Sequence, residues 1–322
     1  MTVLDHAPAT ATTATATTAT TATATRTPAG GGAGLLLAAV ATVVWSGSFV
    51  VSRALHDGVP PVQAAFWRWV IALVAVAPFA VRQAWRERAL LRRHFGYIAL
   101  AALLGITVYN TLVNQAGVTT SASNMGMIMA AAPVLIAVFA RQRIGGRRAV
   151  GLVIALLGVL TLLGKGSPAA LLRLDFTTGD LWMLAAALSF AWYSALLRRK
   201  PARIGQLPFL FATFALGTAL LAPVYVVSLV TQGGFAPSAG TVGPLLYVGV
   251  CSSAVAFFAW NKAISLIGPA RAGIVYYLQP VCVALLSFAL LGERTGPLQI
   301  LCMALILAGV ALGASGPVTA RR

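Results

Sequence analysis

From Phe257 to Val310 the chain reads FFAWNKAISLIGPARAGIVYYLQPVCVALLSFALLGERTGPLQILCMALILAGV, three apolar runs separated by two short hinges, Ile267-Gly-Pro-Ala270 and Gly292-Glu-Arg-Thr-Gly-Pro297. A hydrocarbon core about 30 Å thick is crossed by roughly 20 residues of apolar helix. Runs this long and this apolar, joined by so few polar residues, exclude soluble packing and read as consecutive membrane spans.

The rest of the chain extends the pattern. Apolar residues make up 59% of the sequence and charged ones 9%, and the mean hydropathy is +0.88, a composition of the membrane class. Ten spans are expected, at about 35–51, 64–81, 95–113, 122–140, 149–164, 179–197, 206–229, 242–264, 270–291 and 298–313. Residues 1–34 are mostly alternating Ala and Thr. With almost nothing to bury, they are expected to form a disordered tail, and they lack the apolar core of a cleavable signal peptide.

A net charge of +17 raises nucleic acid as a partner. The arginines, however, lie in short clusters separated by whole spans, so they assemble no basic groove, and lipid headgroups are the expected partner instead. With the N-terminus inside, eighteen of the 23 Lys and Arg residues fall on the cytoplasmic side and four outside, with Arg68 within a span. The positive-inside rule then places both termini in the cytoplasm of a cell whose inner membrane holds the protein. Residues 82–94, basic and carrying Trp85, are expected to rest on inner-leaflet headgroups.

The two halves match each other. At a shift of 147 residues Thr42 falls on Ser189, Trp45 on Trp192, Asn114 on Asn261, Gly126 on Gly273 and Pro133 on Pro280. Five spans per half is an odd number, so the second half enters the membrane from the opposite side. The sequence describes an all-α integral membrane protein of ten helices in two inverted five-helix repeats, with a site expected near the midplane between them. Beyond Pro133 the shift grows to 151, and Gly292-Glu293-Arg294 has Arg141-Gln142-Arg143 as its counterpart.

Five short elements now carry a resemblance. Asn261-Lys-Ala, Gly268-Pro-Ala-Arg271, Tyr277-Leu-Gln-Pro280, Leu291-Gly-Glu-Arg294 and Ala308-Gly-Val310, in this order and spacing, resemble the closing repeat of the EamA-type transporters of the drug/metabolite transporter superfamily. The resemblance covers residues 35–314, with repeats at 35–164 and 179–314, a connecting loop at 165–178 and a basic tail at 315–322. It implies a secondary transporter in which spans one to four and six to nine surround the cavity and spans five and ten serve as scaffold. Small metabolites, amino acids foremost, are the implied substrates. A broad-specificity drug efflux carrier and a non-transporting membrane scaffold are the alternatives. No enzyme motif, cofactor or metal set is found.

Cavity residues are sought among polar and aromatic groups inside the spans. Thr42 with Trp45, and Ser189 with Trp192 and Tyr193, sit at repeated positions as cavity walls, interfacial belt tryptophan being the alternative. Thr107, Asn110, Thr111 and Asn114 fall at i, i+3, i+4 and i+7, a stripe on one helix face that either bonds a neighbouring helix or lines a cavity. Arg68 either faces a cavity and attracts a carboxylate or phosphate, or reaches the surface between Trp67 and Trp69. Asn124, Asn261, Tyr276, Tyr277 and Gln279 complete the expected lining, with Pro133 and Pro280 as hinges that free a backbone carbonyl one turn earlier.

Six acidic residues exist, and all fall in the tail, in loops or at a span end, which leaves no intramembrane carboxylate for a proton relay. Glu293 is expected to stabilise the start of the last helix beside Thr295 and Pro297. Cys251, Cys282 and Cys302 read as buried thiols. Gly309-x-x-x-Gly313 is a close-packing motif for contacts within the chain or, alternatively, for a homodimer.

Overall fold

A computed structural model describes residues 31–139, 146–163, 166–167 and 177–314. The connection at Arg141-Gln142-Arg143, most of the 165–178 loop, residues 1–30 of the tail and the C-terminal 315–322 lie outside the described residues.

Every regular element among the described residues is helical. α1 is Gly31–Ala54, so the helix takes in the last four residues expected for the tail. α2 is Pro61–Arg86, opened by proline in its first turn, where a missing N–H is harmless. The basic α3, Arg88–Arg93, follows. α4, Phe95–Ala102, continues through a π-helical stretch at Leu103–Val108 into α5, Tyr109–Thr119. α6, Ala122–Met129, and α7, Ala132–Phe139, are one run broken at residues 130–131, just before Pro133. α8 is Gly146–Leu163.

α9, Thr178–Leu197, starts with a capping box in which Thr177 and Asp180 satisfy each other's backbone N–H. α10 is Gln206–Gln232. α11, Ala239–Leu246, leads through a second π-helical stretch, Tyr247–Val255, into α12, Ala256–Tyr276, which turns sharply at Gly268 with φ 76°. α13, Gln279–Leu291, is set off from α12 by residues 277–278, and Pro280 fills its first turn. α14 is Pro297–Ala314.

Among the described residues, six helices are long and apolar enough to cross a membrane, and four shorter apolar helices accompany them. Large apolar side chains face outward, among them Val230, Phe79, Leu290 and Leu285. A surface of this kind suits lipid, since helices satisfy most of their backbone groups internally.

α1 packs on α12 and α13, and α9 packs on α5, α6 and α7, while α2 and α10 lie against each other and against the π segments. α8 and α14 pack mainly on one another. A Cβ on Gly309 would stand 2.5 Å from the Gly151 carbonyl oxygen, so this glycine serves a close approach inside the chain.

Candidate functional site

The centre of the bundle is a set of rings around Trp45. Its ring centroid lies 5.3 Å from Phe257, 5.4 Å from Trp260, 5.7 Å from Phe190 and 6.1 Å from Tyr276. Tyr276 stacks on Phe190 at 5.6 Å, and Tyr109 packs against the same ring at 5.2 Å. All six are buried. Helical spacing explains the convergence: Phe257 with Trp260, and Phe190 with Tyr193, are three apart and share a face.

The π segments supply backbone carbonyls to this centre. In a π turn the ladder shifts to i→i+5 and leaves carbonyls available to other donors. Trp45 Nε1 donates to the Ser252 carbonyl (2.8 Å), and Ser189 Oγ donates to the Leu104 carbonyl (2.8 Å). The first long helix of each half thus bonds the π segment of the other half.

Polar atoms without partners collect on the segments that carry the rings. Asn110 Oδ1, Trp260 Nε1, Asn261 Nδ2, the Tyr276 hydroxyl and both side-chain polar atoms of Gln279 are buried with no hydrogen bond. More than nine in ten buried polar groups in folded proteins are paired, so these exceptions, to which Trp69 Nε1 and Ser194 Oγ belong as well, are unusual.

Arg68 is 3% exposed and turned into the protein, so it does not reach the surface beside Trp67. Its Nε donates to Ser253 Oγ (2.7 Å), one terminal nitrogen to Ser48 Oγ (2.9 Å) and the other to Ser252 Oγ (3.0 Å). Ser252 also offers its carbonyl to Trp45, so the arginine cluster adjoins the ring cage directly.

Other expected residues fall differently. Thr42 is buried beside the cage but spends its hydroxyl on the Ala38 carbonyl (2.8 Å) of its own helix. Trp192 is 54% exposed and faces outward against Phe139, which corrects its expected place in the cavity wall. Adjacent helical residues point about 100° apart, and Tyr193 takes the inward position, lying against Gly105, where a Cβ would come within 2.6 Å of the ring. The polar stripe is also altered. The π segment rotates Thr107 onto the Gly217 carbonyl of α10, Asn110 Nδ2 bonds Gly105 and Ile106 carbonyls, Thr111 bonds the Thr107 carbonyl and Asn114 Nδ2 the Asn110 carbonyl.

Asn124 accepts from Gln299 Nε2 (2.7 Å) of α14, and Tyr277 is half-buried at the edge of the core. Pro133 and Pro280 each follow a helix break. Phe190, Phe257, Trp260, Tyr109 and Ser48, Ser252 and Ser253 were not anticipated. The three-residue spacing of the rings was the available signal.

The two ends of the bundle are built differently. At one, Arg53 pairs with Glu293 (3.4 Å) and donates to the Gly117 (3.0 Å) and Val118 (3.2 Å) carbonyls. Glu293 also accepts from Ser287, so it ties α1 to the α13–α14 turn, and Gln299 rather than Glu293 caps the start of α14. At the other end a cavity of about 280 Å³ is lined by Lys200, Arg198, Gln206, Asn261, Ile264 and Ser265 together with Leu197 and Phe209. Burial pushes the Lys200 ammonium down from its ordinary value, with Glu87 acting in the opposite direction. The cavity reaches Asn261, whose Oδ1 accepts from the Tyr193 hydroxyl (3.4 Å), and so meets the ring cage.

The fold is that of an all-helical, multi-pass membrane protein. The EamA-like transporter family profile matches residues 32–164 and again 177–314, and the chain belongs to that family. A "Probable terminal-alkyne amino-acid exporter" of Streptantibioticus cattleyicolor is 31% identical over 85% of this chain and 91% of its own. An "Uncharacterized transporter" of Archaeoglobus fulgidus is 24% identical over 80% and 89%, and "Uncharacterized transporter YyaM" of Bacillus subtilis 27% over 80% and 85%. A crystal structure covering 88% of this chain and 96% of its own is similar at a TM-score of 0.63 and 21% identity, a likeness of fold.

Proposed function

We propose that the chain is a secondary transporter of the cytoplasmic membrane that exports small metabolites, amino acids foremost, by alternating access. Two inverted five-helix halves would rock about the ring cage, with both termini and the Lys200 end in the cytoplasm. The carrying observation is the cage itself, where Trp45, Trp260 and Tyr276 pack together, the Trp260 Nε1 is buried without a partner and the Tyr276 hydroxyl lies beside the Gln279 amide and Tyr109. Indole and phenol faces attract an ammonium group, and amide oxygens accept from it, so such a lining receives an amino group without a carboxylate.

The inverted halves are supported by the helix breaks at 130–131 and 277–278 and by π segments that overlap at the same 147-residue shift. The name of the Streptantibioticus relative favours amino acids as cargo. Breaks beside Pro133 and Pro280 provide hinges near the cage.

Counterflow in proteoliposomes tests this reading. Vesicles loaded with unlabelled L-leucine, L-phenylalanine and L-propargylglycine should accumulate each labelled compound in turn, and Trp45→Ala should abolish the accumulation. Accumulation that survives Trp45→Ala would move the site elsewhere. No accumulation of any amino acid by the intact protein would remove amino acids as cargo.

A further inference from the structure

We infer that Arg68, Ser48 and Ser252 form a carboxylate-binding site at the edge of the ring cage, so that the substrate must carry a free carboxylate. This rests on the carrier reading and adds the chemical class that the carrier selects.

The argument is a count of donors. A guanidinium has five N–H groups. Arg68 gives one from each nitrogen to Ser253, Ser48 and Ser252, which leaves one on each terminal nitrogen. Ser253 passes its own proton to the Val248 carbonyl (2.8 Å). The hydroxyls of Ser48 and Ser252 accept from Arg68 and have no acceptor for their own protons among the described residues. Two N–H donors of Arg68 and the hydroxyl protons of Ser48 and Ser252 are therefore left over in one buried cluster. A carboxylate presents about four lone-pair positions on two oxygens, and its planar fork matches the two terminal nitrogens of an arginine.

Charge leads to the same conclusion. No carboxylate among the described residues pairs with Arg68; its cation is buried against three serine hydroxyls and lies 5.6 Å from the centre of the Trp69 ring. Holding three serines together requires donors but no charge, and an uncompensated charge inside a membrane protein is costly. A negative ligand is what makes the charge useful. The shared residue Ser252, bonded to Arg68 through its hydroxyl and to Trp45 through its carbonyl, puts the arginine next to the ring cage.

The test compares acids with their uncharged derivatives. Purified protein in detergent is titrated with 3-phenylpropionate and with 3-phenylpropionamide while its unfolding temperature is followed. The same pair, and L-phenylalanine against its methyl ester, compete in counterflow. The acid should stabilise the wild type and inhibit at a concentration at least tenfold below that of the amide or ester. In Arg68→Gln, which keeps donors without charge, that preference should fall to about onefold, while Arg68→Lys should keep part of it.

If Arg68→Gln does not fold, the Ser48→Ala/Ser252→Ala protein, with the arginine intact, should still lose at least threefold of the acid preference. Equal effects of acid and amide on the wild type would overturn the site, as would a preference that survives Arg68→Gln. Failure of all amino acids in counterflow would instead count against the cargo, because the stabilisation by 3-phenylpropionate reads the site without transport.

Discussion

Arg53 and Lys200 are equivalent residues of the two halves, 147 positions apart, and they do different things. Arg53 grips the carbonyls of Gly117 and Val118 and pairs with Glu293. The counterparts of Gly117 and Val118 are Ile264 and Ser265, which line an open cavity beside Lys200. Lys200 itself bonds the Ile204 carbonyl of its own loop. One end is latched across helices and the other admits a small molecule. In the proposed inverted repeat the two ends are interchangeable, and under that proposal the difference between them gives the direction the carrier faces.

The same contrast runs through the centre. Trp45 and Trp192 are also equivalent, yet one is at the core of the cage and the other faces outward. The largest effect is therefore expected from substituting this pair. Trp45→Ala removes a buried ring with four ring neighbours and a hydrogen bond, a change that costs about 3–5 kcal/mol in well-packed interiors. Trp192→Ala should stay within about 0.5 kcal/mol. Thermal unfolding in detergent, with counterflow alongside, measures both; equal losses would show that the halves are used alike.

Arg68→Gln comes next, with loss of at least tenfold in the preference for free acids. Glu293→Gln follows. The Arg53 and Glu293 side chains are 30% and 21% exposed, so solvent screening limits the pair to about 1 kcal/mol or less. That is enough to change the proportion of unlatched molecules severalfold, and a matching rise in maleimide labelling of Val118→Cys should report it. The smallest effect is expected from Lys200→Gln. It should weaken inhibition by acids from the cytoplasmic side about twofold and leave the latched end unchanged, because the lysine lines the cavity without reaching the cage.

Much of this was legible in the sequence. Hydropathy located the apolar helices, six of which are membrane-length among the described residues and four shorter, since burial in lipid demands apolar helices whatever their neighbours. Pro133 and Pro280 announced the helix breaks, because a missing N–H acts locally. The equivalence of Thr42 and Trp45 with Ser189 and Trp192 pointed to two helices that meet at the ring cage, and an inward Arg68 was one of two open readings. What failed depended on helix rotation or on distant partners. Whether Trp192 or Tyr193 turns inward is set by the fit of Tyr193 against Gly105. The amide stripe of the third span was read on an α-helical period, and the π segment at Leu103–Val108 shifts that period. Glu293 looked like a helix cap because its partner, Arg53, comes from the first helix of the other half.

The most direct test of the latched and open ends is paired labelling on a background lacking Cys251, Cys282 and Cys302. Val118→Cys and Ser265→Cys, at equivalent positions, are exposed in turn to a membrane-impermeant maleimide in right-side-out and inside-out vesicles. The account predicts rapid labelling of Ser265→Cys from the cytoplasmic side and slow labelling of Val118→Cys from the outside, with the second accelerated by Glu293→Gln. Equal rates at the two positions, unchanged by Glu293→Gln, would contradict it.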